Sequence, residues 1–270
     1  MIALPGIEGR VFVVTGGARG QGLSESLLLA RLGGRVIAVD VESITPDAYA
    51  GTTVNYARLD VTQPDDWNAL VRAVEELSEG LPLKGLVNNA GITHRSRLGE
   101  TDREDWDRVF AINVTGAMLG IQALVPLMAA GSSIVNVGSV AALTAHYPVA
   151  YTSSKWALRG LTHVAATEFG PRGIRANIVH PGFIETAMTS RVPAAMRSTQ
   201  LELTPLERFG ESDDVAQVVA FLLSDAAAYV TGAEIPIDGG YASSAGSKLI
   251  ADRIAAASTI VPPSPGAPRH

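Results

Sequence analysis

Val11-Phe12-Val13-Val14-Thr15-Gly16-Gly17-Ala18-Arg19-Gly20-Gln21-Gly22 reads as an apolar, β-branched strand running into a glycine-rich turn and then a helix. Gly16, Gly20 and Gly22 form Gly-x-x-x-Gly-x-Gly, which lets the backbone bend sharply and aim amides and a helix N-terminus at a pyrophosphate. The helix is expected to begin after Gly22, to carry Leu23, Leu27 and Leu28, and to stop at Gly33-Gly34. A glycine turn between a strand and a helix also occurs where no nucleotide binds, so its context has to decide.

Outward from this unit, further apolar runs cover Val36 to Asp40, Val54 to Leu59, Leu86 to Asn88, Ile134 to Val137, Ala176 to Val179 and Glu234 to Asp238. Longer helical patterns alternate with them, and strand-helix-strand repeats build a parallel sheet. Thr101-Asp102-Arg103-Glu104 has the form of a capping box opening a long helix toward Met128, its apolar stripe interrupted by Asn113. A helix through Tyr151, Trp156, Leu158, Leu161 and Val164 should end at Gly170-Pro171, and Ser212 should cap another through Val215 to Leu222. Thr186 to Phe209 is long for a connection and resembles a mobile lid, and Lys248 to Ala257 can form a short helix.

Of the 270 residues 47% are hydrophobic and 18% charged, without runs of like charge, which suits one well-filled globular domain. The net charge of -6 argues against a phosphate-backbone binder, so no nucleic acid partner is expected. Zero cysteines exclude disulfides and thiolate chemistry and fit a reducing compartment. Met1 to Pro5 lacks a basic segment followed by an apolar run, and 18 consecutive apolar residues occur nowhere, so the expectation is a cytoplasmic protein without a membrane partner. The histidines 94, 146, 163, 180 and 270 lack metal-ligand spacing, and no metal is expected.

Asp40 ends the second strand, where its carboxylate can accept hydrogen bonds from both adenosine ribose hydroxyls. A like charge about 4 Å away, as on a 2′-phosphate, would cost roughly 4 kcal/mol at an effective dielectric near 20, so NAD is favoured over NADP. Arg19 is the opposing signal, since a basic residue in the turn can pair with that phosphate. Asp60-Val61 and Asn88-Asn89-Ala90-Gly91 close the third and fourth strands at the edge where open α/β sheets bind ligands. Tyr151 and Lys155 lie about one helical turn apart, so both share a face on which the ammonium stabilises a phenolate.

From about Gly9 to Gly240 the chain resembles the classical short-chain dehydrogenase/reductases. The resemblance rests on Thr15 to Gly22, Asn88-Asn-Ala-Gly91, Asn113, Ser139, Tyr151-x-x-x-Lys155 and Pro181-Gly182, in the family's order. It implies one α/β, Rossmann-like, doubly wound domain over residues 1–242, with about seven parallel strands in the order 3-2-1-4-5-6-7 and helices on both faces. It also implies a lid at about 186–209 and a tail at 243–270, flexible or packed on a neighbouring subunit of a homotetramer.

The catalytic set implied by the family is Asn113, Ser139, Tyr151 and Lys155. Lys155, with the oxidised nicotinamide nearby, would depress the Tyr151 pKa; Ser139 would hold the substrate oxygen; Asn113 would hold a water linking Lys155 to solvent. The implied NAD-binding set is Gly16, Arg19, Gly20, Gln21, Gly22, Asp40, Asp60, Val61, Asn88, Ala90, Gly91, Tyr151, Lys155, Pro181, Gly182, Ile184 and Thr186.

The look is nearest to bacterial 3α,20β-hydroxysteroid dehydrogenases and NAD-linked secondary-alcohol dehydrogenases. The candidate substrate wall of His94, Ala141, His146, Tyr147, Phe183 and Met188 is mostly apolar and suits a bulky alcohol or ketone. Two alternatives are a 3-oxoacyl thioester reductase and a nucleotide-sensing protein that kept the fold and lost the chemistry. One departure is that 11 residues separate Ser139 from Tyr151, where the family more often has 12, so the intervening loop is short.

Overall fold

The computed structural model describes residues 4–42, 48–186, 189 and 192–260. Strand β1 (Val11–Thr15), helix α1 (Gly20–Arg31), β2 (Arg35–Asp40) and β3 (Val54–Arg58) form the first wound unit. Then come α2 (Pro64–Ser78), β4 (Leu83–Asn88), α3 (Arg103–Phe110), a π-helical turn (Ala111–Thr115), α4 (Gly116–Leu124) and β5 (Met128–Val137). The chain continues through α5 (Val149–Phe169), β6 (Arg175–Pro181), α6 (Ala194–Leu203), α7 (Ser212–Leu223), β7 (Glu234–Ile237), α8 (Tyr241–Ser244) and α9 (Ser247–Ile260).

All seven strands are parallel, in the order β3-β2-β1-β4-β5-β6-β7. Alternation along β1 divides the core into two layers. Val11 and Val13 pack with residues of α2, α4 and α5, among them Trp67, Leu124 and Ala165. Phe12 and Val14 face α1 and α7 through Leu28, Leu29, Val215 and Val219. A strand buried on both faces loses the polar alternation of a half-exposed one, which is why β1 is an unbroken apolar run. Trp67 is the largest fully buried side chain, and its Nε1 donates to the Val61 carbonyl at 2.9 Å, so burial leaves no indole N–H unsatisfied. Strand order reverses between β1 and β4, which opens a crevice at the carboxyl edge there.

The segment Arg103–Leu127 is apolar enough to span a bilayer by length and composition, with a mean hydropathy of 1.6 over its most apolar window. Here its apolar face, through Val109, Ile121 and Leu124, is buried within the domain.

Local details differ from the sequence reading. Helix α1 starts at Gly20, so Gly22 lies within its first turn. The cap of α3 is Asp102, which accepts from the Asp105 amide at 2.8 Å, while the Thr101 hydroxyl donates back to the Arg97 carbonyl at 2.9 Å. The cap of α7 is Glu211 rather than Ser212, and Asp214 accepts from the Glu211 amide at 2.8 Å. In both cases several short polar residues compete for one cap, and the backbone path selects among them. Between Gly240 and Ile260 the chain forms α8 and α9. Lys248 bridges Glu207 at 2.9 Å and Asp252 at 2.7 Å, and Arg253 pairs with Glu202, so α9 is tied to α6 and the turn after it.

Candidate active site

Every glycine of the turn has a steric reason. A Cβ at Gly22 would sit 2.3 Å from the Gly16 carbonyl oxygen, and Gly16 and Gly20 have φ of +70° and +58°. The start of α1 has no side-chain cap and no acidic residue in its first turn, so its free amides face the crevice. Behind the turn, Thr15 Oγ1 accepts from the amides of Asn89 and Ala90 at 3.1 and 3.0 Å, and Asn89 Nδ2 donates to the Thr15 carbonyl at 2.9 Å. These bonds lock the ends of β1 and β4 together as one rigid floor.

The crevice holds about 260 Å³ and runs from Gly16, Arg19, Gly20 and Gln21 past Asp40, Asp60, Val61, Ala90 and Gly91 to Tyr151, Lys155 and Thr186. Gln21 Oε1 is buried on its wall without a hydrogen-bond partner, an acceptor waiting for a donor. The glycine turn, the uncapped helix start and this orphan acceptor fit an adenine dinucleotide.

At its far end Asp40 accepts from the Ala18 amide at 3.1 Å and the Glu42 amide at 3.2 Å, which orients the carboxylate over the turn. Arg19 is neutralised by Glu42 at 2.5 Å. Asp60 spends one oxygen on the amide and hydroxyl of Thr62, at 2.9 and 2.8 Å. Tyr49 donates to the Gly17 carbonyl at 2.6 Å and so buttresses the turn from a loop whose sequence carries no such signal.

Five residues of the expected cofactor set do not line the crevice. Gly22 lies under the turn. Asn88 points the other way, with Nδ2 donating to Asn136 Oδ1 at 2.8 Å between strands, and Asn89 takes the crevice position. Pro181 ends β6; Gly182 is pinned by its amide to the Ile237 carbonyl at 3.0 Å; Ile184 is buried and bridges to Gly210. They shape the path to Thr186.

Ser139 follows β5 and caps a single tight turn, Val140–Ala142, its Oγ accepting from the Ala141 amide at 3.1 Å. Tyr151 and Lys155 sit on the first turns of α5, with Lys155 Nζ 5.7 Å from the centre of the Tyr151 ring. Lys155 donates to the Val137 carbonyl at 2.7 Å, and burial pulls its ammonium down to about 8. Burial pushes the Tyr151 phenol up, and a hydrogen bond with the Ser139 side chain opposes the rise; the depression expected of Lys155 belongs to the complex with oxidised nicotinamide. Both charged forms lose hydration on burial.

Asn113 lies within the π-helical turn, where the widened ladder frees its side chain to face inward. Its Oδ1 accepts from the Ile92 amide at 2.8 Å, and its Nδ2 donates to the Ile92 carbonyl at 3.0 Å and Ser154 Oγ at 2.9 Å. The carboxamide thus clamps the loop after β4 to α5.

On the substrate side, Ala141 is buried in the tight turn and burial lowers the His146 imidazole pKa. Tyr147 is 73% exposed beneath Arg97, whose guanidinium carbon is 4.3 Å from the ring centre. His94 pairs with Asp105 at 3.0 Å. Phe183 stacks on Phe209 at 4.7 Å, and Arg197 lies over both rings. Phe209 and Arg197 were missed because their contact with Phe183 exists only in three dimensions. Met188 lies outside the described residues.

A family model described as enoyl-(acyl carrier protein) reductase matches residues 16–242. A 3-alpha-(or 20-beta)-hydroxysteroid dehydrogenase of Mycobacterium tuberculosis is 39% identical over 238 residues, covering 86% of this chain and 89% of that protein. A cyclopentanol dehydrogenase of Comamonas testosteroni is 40% identical over 246 residues, covering 87% and 98%. A 3-oxoacyl-(acyl-carrier-protein) reductase FabG of Thermotoga maritima is 41% identical over 244 residues, again covering 87% and 98%. A parallel sheet in this order, a glycine turn at its switch point, and a family match over most of the chain agree: the protein belongs to the short-chain dehydrogenase/reductase family of oxidoreductases.

Proposed function

We propose that the protein oxidises a bulky, apolar secondary alcohol of the cyclic or hydroxysteroid type to its ketone with NAD, and catalyses the reverse reduction. The observation that carries this reading is that Tyr151, hydrogen-bonded to Ser139, and Lys155 line the same crevice as the glycine turn. Bound there, the oxidised nicotinamide supplies the hydride acceptor. Ser139 holds the alcohol oxygen against the Tyr151 oxygen, Tyr151 takes the hydroxyl proton, and in reduction Tyr151 returns it. Lys155, anchored on Val137, holds the ribose and stabilises charge on Tyr151. Asn113 keeps Ile92 and α5 in fixed relation. The relatives named for cyclic and steroid alcohols support the substrate class. Initial rates with NAD over cyclohexanol, cyclopentanol and hydroxysteroids test it, and no reduced nicotinamide with any of them would remove it.

Alcohol oxidation needs Tyr151 without its proton. Because burial raises this phenol, the deprotonated fraction grows as pH rises. Oxidation kcat/KM is therefore expected to climb from about pH 6 to about pH 9, while ketone reduction, which uses the protonated phenol, stays nearly level over that range. Rates of both directions across that range check the sign.

NAD is favoured because Asp40 occupies the end of the crevice while Arg19 is already paired with Glu42. Asp40→Asn keeps an oxygen acceptor and removes the charge, and is expected to lower the preference for NAD over NADP by about a hundredfold. Equal preference before and after would reassign Asp40. The second reading, 3-oxoacyl thioester reduction, is favoured by the FabG relative and opposed by Asp40 and the net charge of -6. Turnover of acetoacetyl thioester with NADPH exceeding that of cyclohexanol with NAD would select it. We also propose a homotetramer, since Trp156 and Val164 of α5 are 46% and 59% exposed; light scattering reads the mass.

A further inference from the structure

His180 is wholly buried on β6, just before Pro181, and none of the roles above uses it. Its Nδ1 lies 3.0 Å from the Ser139 carbonyl oxygen, and since a carbonyl only accepts, Nδ1 carries the proton. Its Nε2 is buried without a hydrogen-bond partner, 3.8 Å from Glu234 Oε2 on β7. Glu234 Oε1 accepts from Arg159 Nε and His163 Nε2, both at 2.7 Å and both on α5. Arg159 Nη1 also reaches the Ala142 carbonyl at 3.3 Å, the far end of the tight turn that Ser139 opens. Gly138 permits the approach, because a Cβ there would sit 2.7 Å from His180 Nδ1.

We propose that His180 is a positioning residue for Ser139. Its Nδ1–H fixes the peptide carrying the serine, and Arg159, held by Glu234, ties the far end of that tight turn to the helix carrying Tyr151 and Lys155. The separation of hydroxyl and phenol is thereby set from behind the crevice, independent of the short loop joining them. Burial keeps the imidazole neutral. Among the groups that face it, Glu234 and the Ser139 carbonyl raise its pKa, Arg159 and Lys155 lower it, and desolvation outweighs them all. A neutral ring with one fixed tautomer supplies one donor in one direction.

This rests on Ser139 holding the substrate oxygen, so the test separates the two claims. With cyclohexanol and NAD, His180→Leu is expected to lower kcat about tenfold with KM for NAD unchanged. His180→Asn, whose amide nitrogen stands where Nδ1 stood, is expected to recover the parent rate to within about threefold. Full kcat in His180→Leu, or equal losses in both variants that track melting temperature, overturns the positioning role. Full activity of Ser139→Ala overturns the underlying reading instead. Without any substrate, nitrogen NMR of histidine-labelled protein reads the tautomer from the resonance that His180→Asn removes. An Nδ1–H tautomer at neutral pH is expected, and an Nε2–H tautomer or an imidazolium overturns the proposal.

Discussion

Tyr151→Phe is expected to oxidise alcohols about a thousandfold more slowly than the parent chain, with NAD affinity little changed. The substitution removes one oxygen from a buried site and leaves the ring volume intact, so packing around α5 persists. Lys155 keeps its place through the Val137 carbonyl, which does not involve the phenol. The glycine turn is fixed by Thr15, Asn89 and Tyr49, all remote from the ring. What disappears is the oxygen proposed to take the proton, and with it the bond to Ser139. Initial rates together with a fluorescence titration of NAD separate chemistry from binding. A variant that keeps its rate to within about threefold would show that another group takes the proton, and the assignment of Tyr151 would be withdrawn.

The second large effect concerns stability. Glu25 on α1 is 1% exposed, neither carboxyl oxygen has a hydrogen-bond partner, and burial raises its pKa from 4.5 to about 8. The folded chain therefore holds a proton there that the unfolded chain releases near 4.5. Stability from this group is complete below that value and falls by about 1.4 kcal/mol per pH unit as pH rises toward 8, on the order of 3 kcal/mol by neutrality. Above about 8 both states are ionised and the slope ends. Glu25→Gln keeps the shape and cannot ionise, so it is expected to be more stable than the parent by about 3 kcal/mol near neutral pH and nearly equal to it near pH 4.5. Urea unfolding of both proteins at the two pH values decides the matter, and a difference independent of pH would show that the carboxyl is solvated or paired. Tyr49 shares this environment: burial pushes its phenol up to about 12, and Glu25 is among the charges adding to the rise.

The strands and the glycine turn were legible because period and punctuation carry them: β1 shows its burial as an unbroken apolar run, and the turn after it shows its glycines; the strand order followed from the family resemblance. Asp40 was legible for the same reason, as the polar residue that ends an apolar strand. Asn88 and Asn89 were not separable by type. Only the strand's alternation, which turns one inward to Asn136 and the other toward the turn, distinguishes them. The burial of the Tyr151 phenol was not legible, because spacing on a helix reports proximity, whereas desolvation depends on what several distant segments exclude. Tyr49, Phe209, Arg197 and His180 act across gaps that no local pattern spans.

The wide turn at Ala111–Thr115 sets a limit on how this gene can change. Upstream of it Val109 points into the core, and downstream Ala117, Ile121 and Leu124 do. Removing one codon from this turn would relax it to an ordinary α-helix in which Val109, Ala117, Ile121 and Leu124 still share one face, because the wide turn absorbs one surplus residue without changing the phase of its flanks. What would be lost is the inward seat of Asn113 against Ile92 and Ser154. The long helix is thus two correctly phased pieces with one surplus residue between them, and a single deletion there should spare the fold while removing the clamp.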